Sequence, residues 1–177
     1  MCLWGITEVE TADKPIECYK VLLLKTSGEY ITPYEEVKVP ADVIAGENPF
    51  KAKRYMWERS PEKEPEEFKR DAKLAGAVGS GFIHTYRTLD EVRKDKNFYM
   101  DVKYFGDHYL PQEIVGAKVF KCIIPVNAIY CAGQVEHQIY GYASTEIRFI
   151  EEVTDAFSEE CVLGDWNPTE LTFFPGN

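Results

Sequence analysis

The sequence predicts a single α+β domain, a mostly antiparallel sheet of about five to seven strands carrying two or three short helices. Three observations lead there. Period-two alternation of apolar and polar residues recurs along the chain, which is the mark of half-buried strands. Signals for helix starts are few. A length of 177 residues with 3 Trp, 11 Tyr and 10 Phe suits one aromatic-rich core and argues against disorder along the whole chain.

Taken in order, Cys18-Tyr19-Lys20-Val21-Leu22-Leu23-Leu24 is short, apolar and rich in strand formers, and Ser27-Gly28-Glu29 follows as a turn. Glu36-Val37-Lys38-Val39 alternates and is closed by Pro40. Ser60-Pro61 supplies a cap and a first-turn proline, with a second possible start at Pro65. Phe68, Ala72 and Ala75 then recur at helical spacing until the glycines from Gly76 to Gly79. Phe82-Ile83-His84-Thr85-Tyr86 reads as a strand, and Thr88-Leu89-Asp90-Glu91 has the Thr-x-x-Glu pattern of a capping box. In the next strand Phe120, Cys122, Ile124 and Val126 point one way, and Pro125 predicts its end or an edge position. The late strand over 142–150 places Ala143, Thr145, Ile147 and Phe149 on a buried face and Ser144, Glu146 and Arg148 on a polar one. The polar stretch from Gln134 to Gly141 allows the strands on either side of it to be sheet neighbours.

The net charge of −10 is unevenly distributed. No Lys or Arg follows Arg148, and residues 151–177 hold seven Asp and Glu. The first 150 residues carry 20 Lys and Arg against 23 Asp and Glu, a balance of −3. The chain therefore divides into a body, 1–155, and an acidic, aromatic segment, 156–177, that includes Phe157, Trp166, Phe173 and Phe174. The overall charge argues against nucleic acid as a partner, since affinity for phosphates comes from Lys and Arg. No apolar run approaches the ~20 residues a membrane helix needs, and the N-terminus lacks the basic start and apolar stretch of a signal peptide, so a cytoplasmic address is expected.

Cys2, Cys18, Cys122, Cys131 and Cys161 form no CxxC pair, and they are expected as free thiols in a reducing compartment. His84, His108 and His137 are too widely spaced for a local metal motif, so no metal and no cofactor is expected. Gly76-Ala77-Val78-Gly79-Ser80-Gly81 runs from a helix into a strand, the reverse of a dinucleotide loop, and is read as a helix-ending turn. Cys2 would become N-terminal if Met1 were removed, yet Leu3-Trp4-Gly5 does not match an amidotransferase nucleophile. The stretch from Phe98 to Tyr109, with Tyr104 among its aromatics, suits either a ligand groove or a loop packed on the sheet.

The succession Gly81-Phe82-Ile83-His84-Thr85-Tyr86-Arg87, a short capped helix, Val119-Phe120-Lys121-Cys122-Ile123-Ile124-Pro125 with Tyr130 and Gly133, then Tyr142-Ala143-Ser144 leading to Ile147, resembles small proteins of gut bacteria and their phages that carry no assigned activity. It spans roughly residues 79–150. The segment order also resembles, more remotely, the core of ADP-ribosyltransferase folds. That second resemblance implies an NAD site, with His84 and Glu146 as the residues to test and Tyr86 as a stacking wall.

The expected function is a non-enzymatic binding or interaction protein, in the setting of a prophage accessory factor acting on a host or phage protein. Its expected contacts are Tyr86, Tyr104, Tyr109 and Trp166. The alternative is an NAD- or nucleotide-binding enzyme that uses His84 and Glu146.

Overall fold

Val21-Leu22-Leu23-Leu24 is a continuous apolar run because its strand is covered on both sides. In the computed structural model, which describes residues 3–6, 9–33, 37–52, 77–78, 82–95, 114–136, 138–154 and 156, this strand is β3, Ile16–Lys25. Before it come β1 (Leu3–Trp4) and β2 (Val9–Thr11). After it come β4 (Tyr30–Ile31), β5 (Lys38–Val39), helix α1 (Ala41–Ile44), β6 (Phe50–Lys51) and β7 (Ala77–Val78). Then follow β8 (Ile83–Tyr86), helix α2 (Leu89–Lys94), β9 (Ile114–Ile124), β10 (Ile129–Glu136), β11 (Ile139–Ser144) and β12 (Glu146–Glu152).

The described strands form one sheet network of twelve, with every recorded pairing antiparallel. β3 pairs with β9 along almost its whole length, from Ile16 opposite Ile124 to Lys25 opposite Ile114. From β9 the pairing continues to β12, and from β3 it continues through β8 to β11. β11 and β12 are one stretch of chain interrupted at Thr145. The path thus returns to its own start, and the sheet folds over at a corner where a strand passes from one layer to the other.

Thr145 holds that corner. Its amide donates to Ile129 O at 2.9 Å, its Oγ1 accepts from Ile129 N at 3.1 Å, and its carbonyl accepts from Ala52 N at 2.9 Å. The corner shifts the strand's phase by one residue. Tyr142 packs against the same core as Ile147 and Phe149, whereas Ala143 packs with Leu3, Ile6 and Cys131. The single face expected for Ala143, Thr145, Ile147 and Phe149 is therefore split in two.

The first core lies inside the fold-over and gathers Cys18, Leu22, Ile83, Phe120, Cys122, Ile124, Ile147 and Phe149. Phe120 and Phe149 meet edge to face at 5.4 Å, as their ring quadrupoles favour. The opposite face of β3 and β9 sends Val21, Leu23, Ile114 and Val119 into a second core with Tyr86 and Val92 of α2. β9 stops at Ile124, in front of Pro125, and Val126 turns outward at 45% exposure instead of continuing the buried face. Asn127 takes a positive φ of 70° in the turn that follows.

The α+β class expected from the sequence is overturned. The helices described have four and six residues, too few to form a layer, and each contributes a single buried apolar side chain, Val43 or Val92. The cores are closed by sheet against sheet, so the class is mostly antiparallel β. The strand number also exceeds the five to seven expected, because five of the twelve have only two residues and leave no alternation to read. Ala77–Val78, read as part of a turn, pairs with Leu3–Trp4. The helix expected after Ser60-Pro61, with most of the Gly76–Gly81 stretch, lies outside the described residues, as do residues 157–177. Among the described residues no helix is long and apolar enough to cross a membrane.

Candidate binding surface

β10 and β11 form a hairpin in which Ala132 faces Tyr142 and Gln134 faces Tyr140. Alternation puts Tyr130, Ala132 and Gln134 on the same side of the hairpin as Tyr140 and Tyr142. β2 adds Glu10 opposite Tyr130 on one flank. On the other, β8 sets Thr85 opposite Tyr142, and the Arg87 amide just beyond its end donates to Tyr140 O at 3.2 Å. The result is a tyrosine-bearing sheet face with an arginine at its margin.

Tyr130 and Tyr142 lean on the first core and meet edge to face at 5.9 Å. The exposed Arg87 guanidinium lies 5.8 Å from the Tyr142 ring centre and 5.9 Å from that of Tyr140, which is itself 40% exposed. Two aromatic faces thus attract and orient one planar cation, whose N–H fork suits a carboxylate or phosphate. Gln134 Nε2 donates to the Tyr140 hydroxyl at 3.4 Å. The Tyr130 hydroxyl donates to Glu10, and that carboxylate, together with burial, pushes the phenol up to about 12, so it stays a neutral donor.

Behind this face lies a set of satisfied buried polar groups. Glu91 closes the capping box of α2, accepting from Thr88 N at 2.9 Å while Thr88 Oγ1 accepts from Glu91 N. Its other carboxylate oxygen accepts from Tyr140 N at 3.1 Å, tying the helix to the hairpin. Lys20 Nζ donates to His84 O at 2.8 Å.

The residues singled out from the sequence are dispersed. His84 is buried on β8 and paired with Ala143, whereas Glu146 stands beyond the Thr145 corner, opposite Lys51, whose ammonium is 3.9 Å from its carboxylate. Tyr86 is 2% exposed, with its ring in the second core and its hydroxyl donating to Asp95 at 2.6 Å. Tyr104, Tyr109 and Trp166 lie outside the described residues. The sequence reading missed Arg87, Tyr140 and Tyr142 as a unit. Extending the late alternation back through Tyr140-Gly141-Tyr142 would have put the two tyrosines on one face, but nothing local brings Arg87 to them.

Cys18, Cys122 and Cys131 are buried free thiols. Burial pushes Cys18 and Cys131 up to about 12 and raises Cys122 well above the ordinary thiol value, so they are not nucleophiles near neutral pH. Among the described residues no group of three or more His, Cys, Asp or Glu is placed to hold a metal ion. Comparison with protein-family models, with curated proteins and with solved structures finds no match to this chain.

Proposed function

We propose that this chain is a non-enzymatic binding or interaction protein of the cytoplasm, a prophage accessory factor whose target is a host or phage protein. The observation that carries the reading is the exposed Arg87 guanidinium held over Tyr140 and Tyr142 on the hairpin face. Tyrosine and arginine supply large contact area and directional hydrogen bonds at low entropic cost, which is why they concentrate at recognition surfaces. The nearby buried polar groups are engaged in holding helix and hairpin together.

The test compares the full chain with its Arg87→Ala/Tyr140→Ala variant as bait in a bacterial extract, followed by titration of any retained protein in purified form. The reading expects one protein held at least about tenfold more tightly by the wild-type chain. Equal binding to both would remove this face from the function. The alternative of an NAD-binding enzyme is tested on the same samples: a rise in melting temperature with millimolar NAD that Glu146→Gln abolishes would favour it.

A further inference from the structure

We propose that the Arg87–Tyr140–Tyr142 face takes an acidic peptide segment of its protein partner, whose Asp or Glu carboxylate pairs with the Arg87 guanidinium. The inference rests on that face being a recognition surface, and it names the chemistry the surface selects.

Local charges make the choice. The carboxylates that follow Arg87 in the chain, and the one across the hairpin, are engaged with other donors. Glu91 accepts from Thr88 N with one oxygen and from Tyr140 N with the other, Asp90 pairs with Arg93 at 3.5 Å, and Glu10 accepts from the Tyr130 hydroxyl. The exposed Arg87 guanidinium meets two rings and no carboxylate among the described residues. Because the rings orient the cation, an incoming carboxylate finds a fork of N–H donors already placed for two parallel hydrogen bonds. Tyr140 adds another donor beside it. Its hydroxyl accepts from Gln134 Nε2 at 3.4 Å, so its own proton is available to a ligand oxygen.

A carboxylate suits this set better than a phosphate. Dianionic phosphates are held by clusters of cations. Here the cation of the neighbouring strand β3, Lys20, is buried and donates inward to His84 O, while Glu10 brings a negative charge to the far flank of the face. The net charge of −10 does not oppose an acidic partner at contact, because exposed charges farther away than about 8 Å are largely screened at physiological ionic strength. The ion pair at Arg87 is then decided by its immediate neighbours.

The test selects random phage-displayed peptides on the full chain after depletion on its Arg87→Ala variant, whose fold is checked by circular dichroism. The recovered peptides are expected to share an Asp or Glu at one position. Exchanging that residue for Asn or Gln should weaken binding to the wild-type chain at least about tenfold and leave binding to Arg87→Gln unchanged, as a double-mutant cycle on one ion pair requires. Arg87→Lys, which keeps the charge and loses the fork, should bind at least about threefold more weakly than the wild-type chain. Tyr140→Phe, which keeps the ring and loses the hydroxyl, should weaken binding about threefold. Recovery of no Arg87-dependent peptide, peptides without a shared acid, or at least about tenfold tighter binding when phosphoserine replaces the shared acid would each overturn the proposal. If the peptides lack an acid while Arg87→Ala/Tyr140→Ala still loses a bound protein from the extract, the carboxylate chemistry fails and the recognition surface stands. If acidic peptides bind as expected while both baits retain the same proteins equally, the carboxylate site stands and the partner reading fails.

Discussion

Lys20 donates to the carbonyl oxygen of His84 at 2.8 Å at the place where β3 and β8 part company. The two strands share one registered pair, Tyr19 opposite Tyr86, and past it the His84 carbonyl meets an ammonium instead of a ladder amide. Lys20 is the one buried lysine among the described residues, and its contact lets the sheet open without leaving that oxygen unsatisfied.

Replacing it should therefore cost stability. Lys20→Met removes a charged donor while keeping the chain's bulk, and a loss of about 2 kcal/mol is expected from the orphaned carbonyl. Urea unfolding reads this as a lower midpoint at unchanged slope. A variant as stable as the parent would mean that the carbonyl is satisfied in another way.

Tyr86→Phe tests the buried pair beneath α2. The ring stays, but Asp95, only 2% exposed, loses the hydroxyl that donates to it at 2.6 Å. A cost of about 1–3 kcal/mol follows, equivalent to a melting temperature lower by several degrees in a chain of this size. Thermal unfolding by circular dichroism measures it, and an unchanged midpoint would show that Asp95 is served by other donors alone.

The hairpin face depends on a close approach at Gly141. A Cβ there would sit 2.5 Å from Thr85 O and 2.7 Å from Val135 Cγ2, and the first of these is backbone that cannot swing aside. Gly141→Ala is expected to destabilise by about 2–3 kcal/mol through displacement of β8 from β11. Gly116→Ala, where a Cβ would meet nothing within 4 Å, is the control and should change stability by about 0.5 kcal/mol or less. Equal effects at the two positions would refute the argument from close approach.

Alkaline pH should weaken the fold through its buried thiols. Burial raises Cys18 and Cys131 from 9.0 to about 12, so the folded state favours the neutral thiol. A raised pKa gives stability that is complete below the unfolded value of 9.0 and is lost as pH climbs toward about 12. Urea midpoints at pH 8 and pH 10.5 should differ, and the drop should be smaller in Cys18→Ala/Cys131→Ala. The same drop in both chains would assign the alkaline loss to other groups.

How much of this was legible in the sequence depends on how far apart the interacting residues lie. The Thr88–Glu91 box, three residues wide, was readable because its hydrogen bonds close within one helical turn. The end of β9 at Ile124 was readable because proline lacks the amide that a ladder needs. The acidic, cation-free character of 157–177 is likewise a property of sequence.

Only the tertiary structure decided the rest. Two-residue strands such as Leu3–Trp4 and Phe50–Lys51 exist because a distant partner supplies their hydrogen bonds, and their own residues carry no period. The corner at Thr145 reverses which residues face the core, because Ile129 and Ala52, both remote in sequence, bind its backbone. Arg87 meets Tyr140 and Tyr142 across more than fifty residues of chain, and Lys20 meets His84 at a separation of 64. Alternation and capping identified β3, β5, β8, the end of β9, β12 and the second helix, since both act over a few residues. The antiparallel β class, the split faces and the tyrosine–arginine surface arise from pairing across long loops, where register and corner geometry decide which side chains meet.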